Sequence, residues 1–114
     1  MVKKTYQFGI LAERAALFLL KLKGYKILFW RYKTKFGEID IIAQKGKVLA
    51  IVEVKARKRK TPIEAVLHPK QIFRIRKAVE IFLSRNVKYQ KHGIRFDFIF
   101  VNRFFIPKHH KNFW

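Results

Sequence analysis

The chain has 114 residues, half of them hydrophobic, and sets 27 Lys+Arg against 7 Asp+Glu for a formal net charge of +20 at pH 7. That length builds one domain, residues 1–114, around a single core, and the lack of cysteine excludes disulfides, a thiol nucleophile and a cysteine-based zinc site. A compact chain with this charge repels itself, and a polyanion relieves the repulsion, so nucleic acid, DNA first, is the expected partner.

Residues Tyr6 to Lys23 read as a first helix, nearly apolar all round and therefore expected to be mostly buried. Ile10, Leu11, Ala15, Leu19 and Leu22 lie along one side of it, and Gly24 stops it. Glu13 is then a carboxylate in an apolar setting. It either reaches a metal from the helix side or pairs with Arg14, Lys21 or another cation. Basic Met1 to Tyr6 is followed by a run containing Glu13 and Arg14, with no small-residue cleavage site, so no signal peptide is expected. No apolar run reaches the length of a spanning helix. A cytoplasmic protein with no membrane partner is the expectation.

Tyr25 to Tyr32 reads as the first strand, with Trp30 and Tyr32 as packing residues. Next comes FGEIDIIAQKGKVLAIVEVK, Phe36 to Lys55, which holds three of the seven acidic residues. Glu38 to Ala43 and Val48 to Ala56 read as two strands about a Gly-containing turn. With the turn on Lys45-Gly46 and Gln44 opposite Lys47, Asp40 falls opposite Ile51, and alternation puts Asp40, Glu53 and Lys55 on one face. Asp40 and Glu53 become diagonal neighbours, about 7–8 Å apart at Cβ, able to converge on one cation. A three-residue loop with a bulge would send Glu53 to the other face.

Asp, then Glu-x-Lys thirteen residues on, suits phosphodiester hydrolysis. Two carboxylates hold Mg2+ or Mn2+, while Lys55 orients the nucleophile or neutralises the transition state. Glu-x-Lys alone is a common triplet, read as an i, i+2 pair on a solvated strand; Asp40 in register is what gives it meaning.

Five of the six residues Lys55 to Lys60 are cations, and Arg57, Lys58, Arg59 and Lys60 leave the proposed site in position to track phosphates. Thr61-Pro62-Ile63-Glu64 matches a helix start. A second long helix follows from Pro69 to Arg85, with Ile72, Ile75, Val79, Phe82 and Leu83 on its buried face and Lys70, Arg74 and Lys77 as a basic stripe. Ile94 to Asn102 is the last core strand, with Asp97 expected to pair with Arg95 or a neighbouring cation in a structural role. The tail from Arg103 is expected to fold back on the sheet or cover an edge. Adjacent His109-His110 cannot set both rings on one strand face, which argues against a metal site there.

Gly37-Glu38-Ile39-Asp40 followed by Val52-Glu53-Val54-Lys55 resembles the YraN-type uncharacterised family, UPF0102. Supporting matches are Gly9, Ala12-Glu13, Gly24-Tyr25, Glu64-Ala65-Val66, Lys70-Gln71 and Arg95-Phe96-Asp97. Departures are Ala12, where Gly is frequent, and His68-Pro69, where a small polar residue is usual. That family resembles archaeal Holliday junction resolvases of the PD-(D/E)xK nuclease superfamily. The resemblance implies an α/β, restriction-endonuclease-like core of helix, three-stranded meander, helix and strand, with a mixed central sheet. It also implies Asp40, Glu53 and Lys55 as catalytic residues, with Gln71 added on phosphate or water and Glu13 joining Asp40 and Glu53 on the metal. The expected activity is endonucleolytic cleavage of DNA, of branched DNA in particular, where a homodimer would supply two active sites. The alternative is a non-catalytic nucleic-acid-binding module on the same fold.

Overall fold

The computed structural model describes residues 2–57 and 68–112. Helix α1 is Val2–Leu22, and strands β1 (Lys26–Thr34), β2 (Gly37–Lys45) and β3 (Val48–Ala56) form a meander. Helix α2 (Pro69–Arg85), a single 3-10 turn at Val87–Tyr89, β4 (Gly93–Val101) and β5 (Pro107–His110) follow. The five strands lie in sequence order, β1-β2-β3-β4-β5, with β3 and β4 parallel and every other pair antiparallel. This is the mixed α/β, restriction-endonuclease-like core. The tail pairs with β4 through β5 and covers its edge, as expected. The expected helix start at Thr61 to Glu64 lies outside the described residues.

Local chemistry explains the ends of the elements. Gly24 takes φ of 90°, and Tyr25 N donates to Leu20 O at 2.9 Å while Gly24 N donates to Lys21 O at 3.0 Å. These are the two bonds that close a helix on a left-handed residue. His68, unusual before a helix, works as its cap. The following Pro69 holds it extended, at φ −102° and ψ 127°, and its Nδ1 accepts from Lys70 N at 3.2 Å.

The sheet is covered on both faces. Ala12, Ala16 and Leu20 of α1 pack on Ile41, Ala43, Ala50, Val52, Ile99 and Val101. On the other face Ile75, Ala78, Val79 and Phe82 of α2 pack on Ile39, Ile42, Leu49 and Ile51. The core side of α1 therefore differs from the sequence expectation, and the helix is not buried all round: Leu11, Phe18 and Leu22 are exposed. Hydrophobicity ranks Leu and Phe above Ala, yet close approach of a helix to a sheet favours the small side chain, so the alanine row faces inward.

The β2–β3 hairpin turns on Gly46-Lys47, with Lys45 opposite Val48, two units from the expected register. Gly46 has φ of 59° at the first central position, where a two-residue hairpin turn requires positive φ. Because the shift is even, the face assignment survives. Asp40 moves from a diagonal position to the one directly opposite Glu53, one step beyond the last regular pair, Ile41 with Val52.

Candidate active site

The geometry begins with a fault in the pleat. Trp30 pairs with Ile41 and Tyr32 with Ile39, leaving Arg31 opposite Asp40. Arg31 takes φ of 60°, costly for a non-glycine residue and frequent near functional sites. Across this step the alternation skips: Ile41 belongs to the α1-side core, whereas Ile39, two residues away, belongs to the α2-side core. Asp40 consequently turns along the sheet toward β3, where its Oδ2 accepts from Val54 N at 2.8 Å. The carboxylate takes the place of the next ladder bond, so the strands part without orphaning a donor.

Glu53 lies across from it, buried at 6% exposure. Its carboxyl stands against that of Asp40 in the directly opposed position, and the negative charge of Asp40 works against its ionisation. Burial, then the carboxylate of Asp40, push Glu53 up to about 9, against smaller opposing effects of Lys55 and Gln71. Gln71, from the first turns of α2, completes the cluster. Its Nε2 donates to Glu53 Oε2 and its Oε1 accepts from Lys55 Nζ at 3.4 Å. One amide thus spaces the carboxyl and the ammonium. Asp40, Glu53, Lys55 and Gln71 are brought together.

Glu13 is placed otherwise. Its Oε1 accepts from Trp30 Nε1 at 2.7 Å and Arg31 Nε at 3.0 Å, and its Oε2 from Arg31 Nη2 at 3.2 Å. It is the ion pair its sequence setting allowed, but with a cation from β1. Arg31 was not singled out in the sequence. Its only signal there was the scarcity of acids, which leaves any carboxylate many suitors.

The basic residues gather at the end of the sheet where β3 finishes. Arg57 N donates to Val101 O at 3.0 Å. Lys70 and Arg74 are exposed on α2, and Arg74 Cβ sits 3.6 Å from the position a Cβ on Gly37 would occupy, so the stripe adjoins the β1–β2 turn. Lys58, Arg59 and Lys60 lie outside the described residues.

A second polar cluster lies on the α1 face. Asp97, fully buried, accepts from Arg95 Nη2 at 2.8 Å, Arg95 Nε at 2.9 Å and Asn112 N at 2.8 Å, and bonds His109 Nε2 at 2.8 Å. Burial alone would raise its pKa; the hydrogen bonds of His109, Arg95 and Asn112 outweigh that and hold it at about 2. The carboxylate makes His109 Nε2 the donor, leaving Nδ1 to accept from Lys23 Nζ at 2.6 Å. The pairing of Asp97 with Arg95 was legible in the sequence; its ties to His109, Lys23 and Tyr25, which accepts from Arg95, span too many residues to be read.

Whether the first cluster suits a divalent cation is decided by its donors. Asp40 and Glu53 are adjacent and offer hard oxygen donors, and burial together with the charge of Asp40 raises the Glu53 pKa, an environment that a cation between them would relieve. Among the described residues no group of three or more His, Cys, Asp or Glu could hold a metal ion. Two carboxylates still fit Mg2+ or Mn2+, which bind through one or two carboxylates and keep several waters.

Fold and site define an α/β domain with a nuclease-like core. Among known proteins, the profile of the uncharacterised protein family UPF0102 matches residues 12–101. A UPF0102 protein of Rhodopseudomonas palustris is 44% identical over 105 residues, covering 92% of this chain and 80% of its own. One from Mesorhizobium japonicum is 41% identical over 111 residues, covering 96% and 88%, and one from Bartonella bacilliformis 38% over 112, covering 98% and 92%. The chain belongs to the UPF0102 family. Among its described residues, no helix is long and apolar enough to cross a membrane.

Proposed function

We propose that this protein is a metal-dependent endonuclease that hydrolyses phosphodiester bonds in DNA. The observation that carries the reading is the placement of Asp40 directly opposite buried Glu53, whose burial and acidic neighbour push Glu53 up to about 9, in a chain of net charge +20. With so many cations to spare, a pair left without one of its own is a site kept for a cation from solution.

Asp40 and Glu53 would hold the divalent ion, which would supply a Lewis acid for the phosphoryl oxygen and a bound water of lowered pKa. The protein contributes the rest. Asp40 is held by Val54 N, so it reaches the ion from a fixed backbone position. Glu53 gives up its proton on binding. Lys55 then lies beside an ionised carboxylate, with its charge available for the developing phosphorane. Gln71 positions Glu53 and Lys55 relative to each other and offers its amide to the attacking water or a phosphate oxygen. Arg57, Lys70 and Arg74 bind the DNA backbone. Branched DNA is the favoured substrate by family resemblance, and a homodimer would place two such sites on it.

The second reading is a nucleic-acid-binding module without catalysis, favoured by the hydrogen bonds that Val54 N gives Asp40 and Gln71 gives Glu53. A labelled panel of four-way junction, flap, single-stranded and duplex DNA, with Mg2+ or Mn2+, separates the two. Asp40→Asn and Glu53→Gln are expected to reduce cleavage by about a hundredfold or more while binding persists. Salt-sensitive binding without cutting, unchanged by both substitutions, would establish the module instead.

A further inference from the structure

Between β4 and β5 the chain uses five residues, Asn102 to Ile106, where two would suffice to join antiparallel strands. The extra residues are not slack. Asn102 Oδ1 accepts from Phe104 N at 2.8 Å and Ile106 N at 3.1 Å, Asn102 O accepts from Phe105 N at 3.0 Å, and Asn102 N donates to Ile106 O at 3.3 Å. Phe105 is held at φ of 59°, a conformation a phenylalanine rarely adopts, with its ring against Phe8 of α1 at 5.3 Å between centroids. The result is a braced tip that holds Phe104 and Ile106 out at 67% and 60% exposure.

The place of the tip gives its use. Phe100 pairs with Lys55 and Val101 accepts from Arg57 N, so the loop leaves the sheet at the end where the carboxyl pair and Lys55 lie. Phe104 lies four positions beyond Phe100, a reach of at most about 14 Å, or about four base steps along one strand. Arg103 lies over the Phe104 ring, 4.9 Å from its centroid. A rigid apolar point beside cations fits a partner that is anionic outside and offers flat apolar faces within. A second copy of this chain would bring another +20 charges and does not fit.

We infer that Phe104 and Ile106 form a wedge that enters nucleic acid where base stacking is interrupted, at unpaired bases or a branch point. Nucleobase faces are covered in continuous duplex and open only at such breaks, and apolar side chains enter base steps by unstacking them. The inference rests on the nucleic-acid reading above, and gives the substrate class of that site a physical basis in this chain.

The test uses a four-way junction carrying 2-aminopurine at the branch point, whose fluorescence rises on unstacking, with the full chain in an Asp40→Asn background so that the DNA stays intact. Binding is expected to raise the fluorescence several-fold. Adding Phe104→Ala with Ile106→Ala should abolish the rise and weaken junction binding about tenfold, the loss of roughly one stacked base, with plain duplex binding kept within about twofold. Asn102→Ala, which removes no apolar atom, should give a partial loss of the rise. Persistence of the full rise in the Phe104, Ile106 variant overturns the wedge. So does loss of binding to phosphatidylserine vesicles in that variant with junction binding intact, which would make the tip a membrane contact. Because the readout requires no cleavage, a protein that unstacks without cutting keeps the wedge and loses the endonuclease, and one that cuts without unstacking does the reverse.

Discussion

Among the described residues two acidic side chains are buried, Glu53 on the α2 face of the sheet and Asp97 on the α1 face, and the fold treats them in opposite ways. Asp97 is surrounded by the protein's own donors: Arg95, His109 and the Asn112 amide. Its pKa falls to about 2. Glu53 is set against another acid, with Lys55 and Gln71 too little to offset it, and rises to about 9. The contrast separates structure from chemistry. A carboxylate completed by internal cations has no affinity left for an ion from solution, and one denied them does.

The largest effect expected from this contrast is at Asp97. Asp97→Asn leaves Arg95 without its buried counter-ion and is predicted to cost about 3–5 kcal/mol in chemical denaturation. Metal affinity of the surviving fold should not change. A loss below about 1 kcal/mol would show that the α1-face cluster is no keystone.

Glu53→Gln should do the reverse. The amide can donate to Asp40 and accept from Gln71, reproducing the protonated acid. Near pH 7 the native state must take up a proton that the unfolded chain lacks, so the substitution is predicted to stabilise by roughly 3 kcal/mol, at 1.36 kcal/mol per unit over the interval from 4.5 to 7. The sign follows from the raised pKa: the contribution is full below about 4.5 and is lost as pH rises through about 9. Asp97, lowered from 3.8 to about 2, contributes above 3.8 and loses it as pH falls through 2. Melting temperature of the wild type in metal-free buffer should therefore decline from pH 5 to pH 9, and Glu53→Gln should flatten the decline. An equally steep decline in the variant would remove Glu53 as its source.

How much of this contrast could be read beforehand depends on range. Strand β3 and helix α2 were legible to the residue, because their periodicity is strong and Gly46 and Pro69 mark their edges. The hairpin register was not. Turns on Lys45-Gly46 and on Gly46-Lys47 both keep Asp40 and Glu53 on one face, and because glycine takes positive φ at either central position, local sequence does not choose between them. The inward row of α1 was missed because Ala12 and Ala16 carry little hydrophobic signal and are chosen for size. The skipped pleat at Arg31 and Asp40 was invisible, since nothing local demands a positive φ from arginine. Arg31 reaches Glu13 of α1, eighteen residues back in the chain, a contact beyond the range of local pattern.

Gln71 provides a mid-sized test of the α2-face cluster. It touches both Glu53 and Lys55 without being a carboxylate, so Gln71→Ala is predicted to weaken Mn2+ binding by about ten- to a hundredfold, as loss of a supporting hydrogen bond does. Calorimetry in buffers of different ionisation enthalpy should show about one proton released per ion bound near pH 7 in the wild type, from Glu53. Glu53→Gln should release none. Proton release that survives that substitution would mean that a different group balances the ion.

Glu13 carries the smallest expected effect and marks the boundary between the two regimes. It is a carboxylate near the pleat fault, as a third ligand would be, yet Trp30 and Arg31 take both its oxygens. The pair is partly exposed, at 32% for Arg31 and 16% for Glu13, so Glu13→Gln, which keeps an acceptor for Trp30, is predicted to cost about 1 kcal/mol or less. Mn2+ affinity should stay within about twofold if Glu13 resembles Asp97, satisfied internally. A loss of tenfold or more would mean that it leaves Arg31 when the ion arrives. Glu13 would then join Asp40 and Glu53, and the Arg31 clamp would hold it in reserve for the metal.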